Sequence, residues 1–154
     1  VAARLELREL TGTLMLGAFM VTAEPVIHPD PALGYRIAAD GQVLTYIPDH
    51  EPALGPSPFT RGWTSGAALA DGADLLIHDA QYAPEEYPDK IGWGHSSVTD
   101  AVALADLVGA RRLALFHHDP TRDDAGVDAL LAQAQASSHG VEVLAARERD
   151  SLTL

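Results

Sequence analysis

The strongest constraint on the fold is a change of texture along the chain. From Leu5 to Asp49, short apolar or alternating runs are broken by Gly and Pro, the period-two pattern of strands. This predicts one or two strands within Leu14–Ile27, another at Gly34–Ala38 and another at Val43–Pro48, the last two joined at Asp40-Gly41. Glycine accepts the positive φ of a two-residue hairpin turn, so that dipeptide pins the hairpin. Pro48, Pro52, Pro56 and Pro58, with Gly55 and Gly62, make residues 51–62 a loop. Beyond it helix and strand patterns alternate. The order is a short helix Ser65–Ala70, a buried strand Ala73–Ala80, a helix Val98–Val108, a strand Arg112–His117, a helix Asp124–Ala136 and strands Val141–Ala145 and Leu152–Leu154. Ser96 or Ser97 is the candidate N-cap of the second helix, and Gly109 its stop. The class is α/β, with a sheet covered by helices on at least one face.

Composition narrows the function. The chain has 154 residues, 47% hydrophobic and 21% charged, enough for one domain with a core. It contains no apolar run of the roughly 20 residues that span a bilayer. The stretch from Val1 to Leu10 mixes charged and apolar residues, unlike a signal segment, so a cytoplasmic location is expected. The formal charge is -12, with Lys90 the single lysine and Arg111-Arg112 the only adjacent basic pair. Grip on a long nucleic acid needs clustered cations, so a small-molecule substrate is expected instead. Without cysteine, only His and Asp/Glu remain as strong metal ligands.

The histidines fall at informative places. His28, His50, His78 and His117 lie at or just after the C-terminal ends of predicted strands, as do Asp49 and Asp79. In α/β sheets the strand ends carry the chemistry, because the sheet fixes the side chains while the loops leave room for a ligand. One such histidine is unremarkable; several from separate strands point to a common site.

Five segments stand out together: Val26-Ile27-His28-Pro29 with Gly34-Tyr35-Arg36, Leu44-Thr45-Tyr46-Ile47-Pro48-Asp49, Leu75-Leu76-Ile77-His78-Asp79-Ala80, Gly92-Trp93-Gly94-His95-Ser96-Ser97, and Leu113-Ala114-Leu115-Phe116-His117-His118. As a set they resemble the metallo-β-lactamase-fold phosphodiesterases, including the tRNA 3′-processing ribonuclease group. They occur in the family's order between about residues 20 and 124. The resemblance implies an αββα sandwich, two divalent metal ions (usually zinc, sometimes manganese or iron) and hydrolysis by a metal-activated water.

Carried over position by position, the resemblance makes His28 and His117 metal ligands and Asp49 the carboxylate bridging both ions. A carboxylate has the two oxygens for that role, although an Asp can equally open the Asp49-His50-Glu51-Pro52 turn. His95 and Asp79 become a proton-transfer pair, with Asp79 where the ribonucleases have Glu. Alternation along the strand allows only one of His117 and His118 to face the site, leaving His118 to line the pocket. His78 is expected to be structural and His139 to complement a helix dipole. Trp63, Trp93, Tyr82 and Tyr87 are candidate pocket walls.

The family's His-x-His-x-Asp-His run does not occur in this sequence. With His28, Asp49 and His117 alone, each ion has two protein ligands, against the three of catalytic zinc sites. The expectation is therefore the C-terminal half of the sandwich, a partial domain that needs an N-terminal half or a second copy to cover its sheet. The chain's start at Val1 rather than Met agrees with that. Three functions compete: a metal-dependent phosphodiesterase, a lactone, thioester or amide hydrolase of the same fold, and a non-catalytic half-domain acting as an interaction module.

Overall fold

The computed structural model describes residues 12–55 and 58–154. Expectations that fall on residues 1–11 and on Pro56 lie outside these. Among the described residues, seven strands form one mixed sheet in sequential order: β1 (Thr13–Leu16), β2 (Phe19–Val26), β3 (Ala32–Ala39), β4 (Gln42–Ile47), β5 (Leu75–Asp79), β6 (Arg112–Phe116) and β7 (Glu142–Ala145). The first four pair antiparallel. From β4 onward the pairing is parallel. The change of texture in the sequence is this switch from hairpins to crossovers.

Local chemistry sets the element ends. Asp40 and Gly41 both have positive φ, 52° and 79°, and close the β3–β4 hairpin with Ala39 opposite Gln42. Helix α2 (Val98–Val108) opens with a capping box in which the Ser97 hydroxyl and the Asp100 carboxylate each take the other's backbone N–H. Ser97 rather than Ser96 is the cap because the Ser96 hydroxyl is spent on the His50 carbonyl, 2.6 Å away. Gly109, at φ 69°, ends the helix. The other helices are α1 (Ala67–Ala70) and α3 (Asp124–Ser137), with a 3-10 turn at Tyr87–Asp89.

The helices pack on one face of the sheet. Alternation along the strands puts Ile47, Leu76, Leu113, Leu115 and Val143 into that core against Leu69, Val98, Val102, Leu104 and Val108. Each such side chain contributes roughly 1.5–3 kcal/mol by leaving water. The opposite face carries Leu44, Tyr46, Leu75, Ile77, Ala114, Phe116 and Leu144. Leu152–Leu154 is not a strand. After a turn at Arg147–Asp150, with Arg149 at φ 71°, this segment runs against the second face, where Leu152 and Leu154 meet apolar side chains. The Arg112 guanidinium donates to the Thr153 carbonyl at 2.8 Å. Its alternating residues thus find an apolar surface rather than a ladder.

Strand directions position the chemistry. β2 and β4 both run antiparallel to β3, and β5 and β6 run parallel to β4, so all four point the same way. Their C-terminal ends, carrying His28, Asp49, Asp79 and His117, therefore emerge at one edge.

Candidate active site

Asp79, the last residue of β5, is the anchor of that edge. Its carboxylate is fully buried. Oδ2 accepts from the His50 backbone N–H at 3.1 Å and from His95 Nδ1 at 2.6 Å. Oδ1 accepts from the Gln81 and Ser96 N–H groups, each at 3.2 Å. A buried carboxylate is tolerated only when bonded in this way. The hydrogen bond to Asp79 raises the His95 pKa above the ordinary imidazole value, outweighing the burial that lowers it. One methylene shorter than Glu, the aspartate still reaches the imidazole.

His117 follows β6 in a left-handed conformation, φ 56°. A non-glycine residue there is strained, and such strain concentrates at functional sites. In that conformation its ring stacks on that of His95, tilted by 25° with centroids 4.8 Å apart, and Nε2 lies 3.5 Å from Asp49 Oδ1. The His28 ring meets His95 edge-on at 5.4 Å. His28 Nδ1 lies 3.0 Å from the Asp30 carbonyl oxygen. The Asp30 backbone N–H also points at Nδ1, from 3.1 Å; the tautomer that donates to the carbonyl leaves the Nε2 lone pair for a ligand, and the one that accepts this N–H carries its proton on Nε2. The structure thus brings all five sequence-derived residues together. Donor atoms of His28, Asp49 and His95 lie within 4.8 Å of one another, as do those of Asp79, His95 and His117. Both sets consist of imidazole and carboxylate alone, which suits zinc, manganese or iron. His95 belongs to both sets.

Other expectations need correction. His118 does not line this site. It points the other way, toward Asp124, Val127, Ala146, Arg147 and Glu148, because the turn at His117 sends successive side chains to different sides. Tyr87 is buried, and its hydroxyl donates to Glu51 at 2.8 Å. It supports the site from within rather than walling a pocket. Tyr82 is also buried, with its ring 6.1 Å from that of His95, whereas Trp63 and Trp93 are exposed. His139 does not act on its helix end; it pairs with Asp106 of α2 at 3.3 Å.

Two residues carry more of the site than the sequence revealed. His50 is fully buried; its Nδ1 donates to His78 Nε2 at 2.8 Å, and His78 Nδ1 donates to the Asp79 carbonyl at 2.7 Å. Burial holds both imidazoles below their ordinary pKa and therefore neutral, His50 well below. Glu51 is fully buried beside them and gathers the loop that carries His95. The available signal was the Asp-His-Glu run directly after an apolar strand, three titratable residues where a turn needs only one.

A family model described as the Beta-lactamase superfamily domain matches residues 3–118. Ribonuclease Z of Salinibacter ruber is 34% identical over 107 residues, covering 69% of this chain and 30% of that protein. The crystal structure of the metallo-beta-lactamase fold protein YhfI from Bacillus subtilis superposes with a TM-score of 0.69 at 23% identity, over 88% of this chain and 49% of that one. Human tRNase Z, short form, superposes with a TM-score of 0.58 at 28% identity, over 70% of this chain and 38% of that one. The chain therefore spans half or less of the length of these proteins. Among the described residues no helix is long and apolar enough to cross a membrane.

Proposed function

Because the chain belongs to the metallo-β-lactamase superfamily, a superfamily of metal-dependent hydrolases, we propose that the complete protein is a phosphodiester hydrolase with a dinuclear site. In this reading His28 and Asp49 hold one ion and Asp49 and His117 the other, zinc being the first choice. The ions, when bound, supply Lewis acidity and a nucleophilic water at neutral pH.

The observation that carries the reading is the His95–Asp79 pair, at 2.6 Å among His and Asp side chains whose donor atoms lie close enough to hold a metal ion. With Nδ1–H held by Asp79, His95 presents Nε2 toward a leaving oxygen, and Asp79 favours the imidazolium form that would give it a proton. The short Nδ1 contact with the buried Asp79 carboxylate supports this role. The acidic chain favours a small diester over a long RNA.

The remaining ligands, in the same reading, come from a preceding half of an αββα sandwich. Its sheet would cover the apolar face formed by Leu44, Tyr46, Ile77, Phe116 and Leu144. The test is to assay the full-length gene product, with metal content measured, on bis-p-nitrophenyl phosphate, on lactones and on thioesters. Diester turnover that disappears together with metal in Asp49→Asn supports the proposal. Turnover confined to lactones or thioesters, or a protein that binds no metal, overturns it.

A further inference from the structure

We infer that Glu51 is a positioning residue, which clamps the Gly92–Gly94 loop and thereby fixes His95 for proton transfer; this rests on the hydrolase reading above. Its carboxylate is fully buried. Oε1 accepts from the Tyr87 hydroxyl at 2.8 Å and the Gly92 N–H at 2.9 Å, and Oε2 accepts from the Gly94 N–H at 2.9 Å. Gly92 and Gly94 have φ of 83° and 94°, a conformation that turns both N–H groups inward toward the carboxylate. Backbone concavities of this kind hold anions, and here the anion belongs to the chain itself.

The clamped loop is pressed against the site. A Cβ on Gly94 would lie 2.3 Å from His28 Cδ2, so the bare backbone abuts the imidazole of a proposed ligand. His95 is then pinned on both sides from the end of β4. Gly94 before it is held by Glu51, and the Ser96 hydroxyl after it donates to the His50 carbonyl at 2.6 Å. The same two residues, His50 and Glu51, reach the other arms of the site. The His50 N–H donates to Asp79 Oδ2, and the Glu51 N–H donates to the Ile27 carbonyl beside His28 at 3.0 Å. Asp49-His50-Glu51 thus combines a proposed bridging ligand with the brace that orients the rest. Glu51 touches neither substrate nor metal in this arrangement; it acts through the loop.

The experiment uses the full-length protein and compares Glu51→Gln, Glu51→Asp and wild type on bis-p-nitrophenyl phosphate and the slower diphenyl phosphate. A misplaced proton donor should cost about 10–100-fold in kcat on diphenyl phosphate, roughly tenfold more than on the nitrophenyl ester. KM and metal content should stay near wild type, and Glu51→Asp should recover part of the loss. In metal-free protein, the His95 Nδ1–H proton resonance, identified by its absence in His95→Ala, should move upfield in Glu51→Gln as the bond to Asp79 loosens. Equal losses on both esters in both variants, or an unmoved His95 resonance, overturn the inference. A wild-type protein that hydrolyses neither ester refutes the hydrolase reading, and the resonance then decides the positioning role alone.

Discussion

His95 Nδ1 stands 2.6 Å from Asp79 Oδ2, and that carboxylate also receives three backbone N–H groups from His50, Gln81 and Ser96. The carboxylate is therefore fixed before the imidazole arrives. Asp79→Asn keeps the size but removes the charge that favours the imidazolium, and it turns one of the two accepting oxygens into an NH2 that faces a backbone N–H. In the full-length enzyme this should lower kcat on poor leaving groups by about 10²-fold, near the lower end of what a positioned proton donor contributes. Metal content, measured by atomic emission, should not change. Loss of metal in Asp79→Asn would make Asp79 a ligand instead.

Gly94 tests the packing of the site. At φ 94°, any side chain is strained there, and a Cβ would collide with His28 Cδ2 and with Pro29 Cδ, at 2.3 and 2.4 Å. Neither contact can yield without moving the His28 ring. Gly94→Ala should weaken metal binding by tenfold or more and destabilise the fold by about 1–3 kcal/mol. Gly41→Ala is the control: Gly41 also has positive φ, but nothing lies near its Cβ position. It should lose stability while keeping metal affinity. Denaturant melts and zinc titration of both variants check this.

What the sequence made legible follows the range of the interactions. The Asp40-Gly41 turn and the Val98–Val108 helix with its Ser97 cap and Gly109 stop are local, and each is written in a few adjacent residues. The strand-end positions of His28, Asp49, Asp79 and His117 follow from apolar patterning, so the residues that meet at the edge were identifiable. Glu51 was not, because its partners Tyr87, Gly92 and Gly94 lie about forty positions away and a Glu in a Pro-rich loop looks solvated. Leu152–Leu154 alternates like a strand, yet patterning cannot say whether a ladder or an apolar face awaits it.

The buried His50–His78 pair predicts how stability depends on pH. Both imidazoles have folded pKa values below the ordinary 6.5, chiefly through burial. As pH falls through 6.5 the unfolded chain takes up protons that these two folded imidazoles refuse, so the pair's contribution to stability is full above that value and declines below it, whereas His95, raised in pKa, contributes below 6.5 and loses that contribution as pH rises. Each histidine contributes a slope of up to about 1.4 kcal/mol per pH unit in that window. Urea unfolding between pH 5 and 8 with a chelator present should show the decline, and His78→Gln should flatten it. A pH profile that His78→Gln leaves unchanged would mean that the pair is not held neutral.

The last prediction concerns the 154-residue chain by itself. In the proposed assignment His28, Asp49 and His117 give each ion two protein ligands, while His95 is drawn toward Asp79 and raised in pKa rather than left free. Complete structural zinc sites gain roughly 10–16 kcal/mol, and a site with two ligands per ion should keep only a small part of that. Among the described residues, the apolar face around Tyr46, Ile77 and Phe116 is lined by the Leu152–Leu154 segment, and an apolar surface left uncovered favours association. The isolated chain should therefore bind zinc no tighter than about 10 µM, show no diester hydrolysis and run larger than a monomer in sedimentation. Supplying the preceding segment of the full-length protein should restore metal binding and the monomer together. A monomeric 154-residue chain that binds two ions at micromolar affinity or better and turns over diester would refute the half-site assignment, and would require His95 and Asp79 to serve as ligands.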